Sequence, residues 1–172
     1  MERKQAFIGT TLGVGTEWHG GQPDGAGGSR VILFCDTSAL IKLYISEAFS
    51  EAVLAQAEEA KAIAVSRITW AEAMAALARR VREIPVDASV IEAVHANLRA
   101  DWSNFAIVEV TQSLVELAGE YADTFALRGY DSVQLASART MQKAASEEMC
   151  FACFDARLQK AAKVLGMRTL TK

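Results

Sequence analysis

What this chain lacks narrows its possible roles first. Its 172 residues hold three cysteines and two histidines. Three thiols is an odd, low number that argues against a disulfide framework and for a reducing compartment, so a cytoplasmic location is expected. His19 and His95 are too few and too isolated for a zinc cluster or a nucleophile–base relay, and they read as surface residues. No run of about 18 apolar residues occurs, so no segment reads as membrane-spanning. Arg3 and Lys4 are followed by glycine, threonine, Glu17 and His19 rather than by an apolar run with a cleavage site, which is not the pattern of a signal peptide. Positive charge is not in excess either. The 18 Lys+Arg against 21 Asp+Glu give a net charge of −3. That excludes a grip on nucleic acid by bulk charge, but not one through a local basic patch.

What is present is a globular composition, 51% apolar and 23% charged, in a length that suits one domain. Glycine divides the chain. Eight of the 11 glycines lie before Arg30. A segment such as Gly20-Gly21-Gln22-Pro23-Asp24-Gly25-Ala26-Gly27-Gly28-Ser29 cannot bury enough apolar surface to offset its ordering entropy. Residues 1–29 therefore read as a flexible arm, and residues 30–172 as the folded domain.

Beyond Arg30 short apolar runs alternate with helical stretches. Val31–Cys35, Ala62–Ser66, Ala106–Val110 and Met149–Phe154 read as strands, with Arg168–Thr171 a short last one. Val31–Cys35 lacks polar alternation, as strands buried on both faces do. Helices are expected from Ser38 to about Ala60 with a break near Ser46 and a restart at Ser50, from about Trp70 to Glu83, and from Pro85 to about Trp102. Others follow Thr111 or Ser113 as cap, open at Asp131, and run from Asp155 to about Leu165. Strands alternating with helices imply parallel pairing, hence an α/β domain with a central parallel sheet of about five strands sandwiched by helices. In such sheets ligands bind at the carboxyl ends of the strands.

Several motifs fail on inspection. Gly13-Val14-Gly15 opens like a dinucleotide fingerprint, but Trp18 stands at the third glycine and no strand precedes it. Gly20 and Gly25 have P-loop spacing, yet Ala26 occupies the lysine position. Cys150 and Cys153 fall in one expected strand, where residues three apart face opposite sides, so they read as core rather than as half a zinc site. The informative residues are four acids. Asp36 follows the first strand, Asp155 follows the fourth, Glu72 lies in the first turns of the helix after the second strand, and Asp131 opens a helix after Gly129-Tyr130. Singly, the three aspartates are plausible helix N-caps and Glu72 a solvated helix residue. Together they converge on one crevice. Clustered carboxylates repel one another unless a proton or a cation intervenes. Oxygen donors without Cys or His point to Mg²⁺ or Mn²⁺, a chemistry suited to phosphodiester hydrolysis.

The run Val31-Ile32-Leu33-Phe34-Cys35-Asp36-Thr37-Ser38-Ala39-Leu40-Ile41-Lys42-Leu43-Tyr44 resembles the opening of PIN-domain ribonucleases, specifically the VapC-like toxins of toxin–antitoxin pairs. Trp70-Ala71-Glu72-Ala73, the stretch Leu127–Ala138 around Asp131, and Phe154-Asp155-Ala156-Arg157-Leu158 resemble the family's remaining acidic motifs, over about residues 31–171. The resemblance implies that Asp36, Glu72, Asp131 and Asp155 are catalytic acids that bind Mg²⁺ or Mn²⁺, with Ser38 supporting them. It implies hydrolysis of RNA with a 5′-phosphate product, tRNA being a frequent target, together with a cognate VapB-like antitoxin and a homodimer. Gln134 stands where many relatives carry His, a departure bearing on substrate contacts more than on metal. Because relatives begin at the first strand, where Val31 stands here, the native start is expected at Val31.

An acidic pocket cannot itself hold a polyanion, so basic residues must surround it. Arg79 and Arg80 lie seven and eight residues after Glu72, near the same helix face, and Lys42, Arg82 and Arg128 extend the expected RNA-binding rim. A receiver-type phosphorylation domain would need an acid after the third strand, where Thr111 follows Val110. A haloacid-dehalogenase-like phosphatase would need a second aspartate at Ser38. The remaining alternative is a non-catalytic PIN-like module that binds RNA or protein.

Overall fold

The computed structural model describes residues 31–170. The arm 1–29, the glycine motifs, His19, Arg3, Lys4, Thr171 and the expected start-site boundary upstream of Val31 lie outside the described residues. In chain order the elements are β1 (Val31–Cys35), α1 (Thr37–Lys42), α2 (Ser50–Glu59), β2 (Ala62–Ser66), α3 (Thr69–Glu83) and α4 (Ala88–Asp101). They continue through β3 (Ala106–Val108), α5 (Gln112–Phe125), α6 (Gly129–Ala144), β4 (Glu148–Ala152), α7 (Ala156–Val164) and β5 (Arg168–Thr169). The strands form one parallel sheet in the order β3-β2-β1-β4-β5.

That order places the site. The chain steps outward from β1 through β2 to β3, then returns to the other side of β1 for β4 and β5, so the reversal point lies between β1 and β4. Ligands of open α/β sheets bind at such a point, beyond the carboxyl ends of the strands. Asp36 directly follows β1, and Asp155 comes three residues after β4.

Both sheet faces are covered, as the unalternating strands require. Ile32 and Phe34 pack with Leu114, Leu135 and Leu158, while Leu33 and Cys35 pack with Leu40, Val65, Ala73 and Leu98 on the opposite face. Phe34 and Phe151, neighbours across β1 and β4, meet edge to face at 5.6 Å between ring centres. Cys150 and Cys153 fall into the cores on opposite faces, in agreement with a packing role, and all three cysteines are free and buried. Among the described residues no helix is long and apolar enough to cross a membrane.

Several boundaries differ from expectation for tertiary reasons. β3 stops at Val108 rather than Val110, because its neighbour β2 ends at Ser66 and only the Arg67 N–H bond to the Val108 carbonyl continues the pairing (2.9 Å). β4 stops at Ala152 rather than Phe154 because its partner β1 ends at Cys35. Helix α6 starts two residues early, at Gly129, with Arg128 as its cap residue, so Asp131 lies within its first turn and is not an N-cap. Pro85–Asp87 form a separate 3-10 turn ahead of α4. His95 is not a plain surface residue. It lies one turn from Ile91 on the buried stripe of α4, and its Nε2 is sequestered with no hydrogen-bond partner among the described residues.

Candidate active site

Strand β1 delivers Asp36 to the reversal point at only 6% exposure. Its Oδ1 caps α1, accepting from the Ala39 N–H and the Ser38 hydroxyl, both at 2.8 Å. Among the described residues its Oδ2 has no hydrogen-bond donor. Asp155 repeats the device after β4: its Oδ1 accepts from the N–H groups of Arg157 (2.9 Å) and Leu158 (2.8 Å) at the start of α7. Glu72 sits in the first turn of α3 and Asp131 in the first turn of α6. All four line a single cleft of about 570 Å³.

The electrostatics follow from this crowding. Burial raises the Asp36 carboxyl to about 7, with Glu72 and Asp131 adding to the rise, while the bonds from Ala39 and Ser38 oppose it. Burial also lifts Asp131, and the nearby Asp155 and Glu72 push the same way against Arg128 and Arg157. Bringing acids together in this manner disfavours their ionised forms unless a cation joins them.

Among the described residues no three His, Cys, Asp or Glu side chains are packed tightly enough to close a coordination sphere by themselves. The fit to Mg²⁺ or Mn²⁺ is one of donor chemistry. The donors are all oxygens, the surroundings of Asp36 and Asp131 disfavour their charged forms, and the cleft has room for water. A hard cation that keeps several of its waters and takes one or two carboxylates suits such a site.

The basic residues divide. Arg79 and Arg80 line the cleft with the acids; Arg79 is exposed and only loosely paired with Glu83 at 3.8 Å, whereas Arg80 binds Asp87 at 2.8 Å. Arg128 is exposed beside Asp131, and Arg82 is exposed outside the cleft lining. Lys42 is not a rim residue. It is buried, paired with Glu47, and its ammonium lies 4.9 Å from the centre of the Phe154 ring. An aliphatic stem long enough to fold inward, with an acid and an aromatic face to receive its charge, explains the difference.

Gln134 also departs from expectation. It lines the cleft but is only 3% exposed, and its Nε2 donates to Glu72 Oε2 at 2.6 Å. Thr37 donates to the same oxygen at 2.6 Å, and Thr69 lies against the Gln134 amide at 2.9 Å. Sequence reading missed Thr37 and Thr69. The available signal was spacing: Gln134 lies three residues after Asp131 and so shares its helix face.

A PIN domain model matches residues 33–164, the span that holds all four acids. This chain belongs to the PIN-domain family. It is 32% identical over 141 residues to the ribonucleases VapC45 and VapC49 of two Mycobacterium tuberculosis strains, covering 80% of this chain and 93% of each relative. It is thus a VapC-like PIN protein. The solved VapBC2 of Rickettsia felis, bound to a DNA fragment from its promoter, shares the fold with a TM-score of 0.54 and 13% identity, over 80% of this chain and 96% of that one.

Proposed function

We propose that this PIN-domain chain is a Mg²⁺- or Mn²⁺-dependent endoribonuclease toxin restrained by a VapB-like antitoxin. The observation that carries this reading is the meeting of Asp36, Glu72, Asp131 and Asp155 in one cleft at the sheet's reversal point, with Arg79 and Arg80 on its wall. When bound, the cation supplies an activated water and a positive counterpart to the phosphoryl oxygens. Carboxylates among Asp36, Glu72, Asp131 and Asp155 would hold it, directly or through its waters. Arg79, Arg80 and Arg128 would align the phosphate backbone, which an acidic cleft alone repels. Cleavage between the phosphorus and the leaving 3′ oxygen leaves a 5′-phosphate, and a structured RNA such as tRNA is the substrate class.

The cleft continues from the acids across Ile41, Ile45, Leu77 and Ile84. That apolar floor suits an amphipathic antitoxin segment presenting a basic side chain to the acids. A homodimer belongs to the same reading. Expression of this chain alone should arrest growth, and sequencing of RNA ends should reveal new 5′-phosphate termini. Co-expression of an adjacent small gene product should restore growth. RNA that stays intact during arrest would favour a binding module instead, and unrelieved arrest with every neighbouring gene product would remove the antitoxin.

A further inference from the structure

Three of the four cleft acids are anchored through one carboxylate oxygen. For Asp36 and Asp155 that oxygen is Oδ1, tied to backbone N–H groups at the start of the following helix. Such an anchor comes with any aspartate at an N-cap. Glu72 has no equivalent, because it lies inside the first turn of α3 rather than at its cap. Its Oε2 is instead held by two side chains from other parts of the chain, Thr37 Oγ1 and Gln134 Nε2, each at 2.6 Å. No hydrogen bond among the described residues engages its Oε1.

Gln134 is the deeper of the two anchors. Its amide nitrogen also lies 2.9 Å from Thr69 Oγ1 and 3.2 Å from Thr37 Oγ1, and Thr69 itself is fully buried. The orientation of the amide follows from chemistry. With the nitrogen toward Glu72 a donor meets a carboxylate, while the reverse would set two acceptors against each other. Gln134 lines the cleft yet is almost wholly covered, and its links run to one acid of the cleft and to the two threonines around it.

We infer that Gln134 is the positioning residue for Glu72, holding Oε2 so that Oε1 alone faces a divalent cation in the cleft. The assignment rests on the proposed metal-dependent reading and extends it to a residue that touches neither metal nor RNA. A free glutamate must lose the freedom of several rotors before it can ligate. Here that ordering is completed in the folded protein, as outer hydrogen bonds do for metal ligands generally.

The test is Mn²⁺ binding to the full chain, followed by calorimetry and by the paramagnetic resonance signal of free Mn²⁺. Gln134→Met keeps the volume and removes the donor, and should weaken binding by about 10–100-fold with an unchanged circular dichroism spectrum. Gln134→His restores a ring N–H toward Glu72 and should recover most of the affinity. In a Glu72→Gln background Gln134→Met should cost nothing more, since its effect passes through that carboxylate. Gln134→Ala, which introduces no clash, carries the same readouts should Gln134→Met not fold. Binding by the donorless variant within twofold of the natural chain overturns the assignment while leaving the metal reading intact. So does an equal loss in the Glu72→Gln background, whereas a natural chain that takes up no Mn²⁺ overturns both.

Discussion

Strands β1 and β4 end alike and do different things. Each has five residues, each is followed by an aspartate in extended backbone conformation, and each aspartate caps the next helix through Oδ1 at 2.8 Å. Their surroundings differ. β1 is the central strand, and Asp36 lies 6% exposed in the cleft with Glu72 and Asp131, its carboxyl raised to about 7 chiefly by burial. β4 is flanked on its outer side by the two-residue β5, and Asp155 stands exposed at the cleft edge. Capping is a local property that both share. Burial is set by the rest of the fold, and only Asp36 has it.

Substitutions at the two positions should separate these properties. The largest effect is on catalysis. Asp36→Asn should lower the rate of RNA cleavage by at least about 100-fold, the scale on which one preorganised charged group acts. Asp155→Asn should lose about tenfold under the same metal and RNA concentrations. Equal losses would erase the distinction between the central and the edge acid.

The second effect is on pH dependence. The folded, metal-free protein holds a proton on Asp36 up to about pH 7, against a value of 3.8 for the unconstrained group. The folded state therefore binds more protons than the unfolded state between those values, and stability should fall as pH rises from about 4 to about 7. Melting curves in EDTA at pH 5, 6, 7 and 8 should show this slope, and Asp36→Asn should flatten it and raise the melting temperature at pH 8. Asparagine also caps helices well, so the cap is preserved. A lower melting temperature for Asp36→Asn at pH 8 would contradict the account.

A third effect isolates the cap. Asp155→Ala removes the acceptor at the start of α7 and should cost about 1 kcal/mol in denaturant unfolding, while Asp155→Asn should cost little. The smallest effect lies in the turn that sets Asp131 against Asp155, where Arg157 donates to the Ala126 carbonyl at 2.7 Å. Ala126 ends α5 in the left-handed region at φ 51°, a position glycine favours, as Gly166 does at the end of α7 with φ 74°. Ala126→Gly should raise stability by no more than about 1 kcal/mol, measured the same way.

The strands and the acids at their ends were legible in the sequence because both follow from short-range rules. Unalternating runs such as Val31–Cys35 need cover on both faces, and α/β crossovers send every strand's carboxyl end to one rim. What the sequence could not show depends on which distant groups meet. Lys42 resembles a surface cation until Glu47 and Phe154 are placed around it. Gln134 is one polar residue among many on α6 until Glu72, 62 positions away, is brought to its amide. Asp131 passes for a cap because its helix begins two residues earlier, at a boundary local pattern does not fix.

The most direct measurement of the central claim is the rate at which the purified chain cleaves RNA, with and without metal, beside an Asp36→Asn, Asp131→Asn double variant. The natural chain should cleave with Mg²⁺ or Mn²⁺, stop in EDTA and resume when the cation is restored, while the folded double variant stays inactive throughout. Undiminished cleavage by the double variant would contradict the account, because the activity would then reside outside the cleft that these acids form.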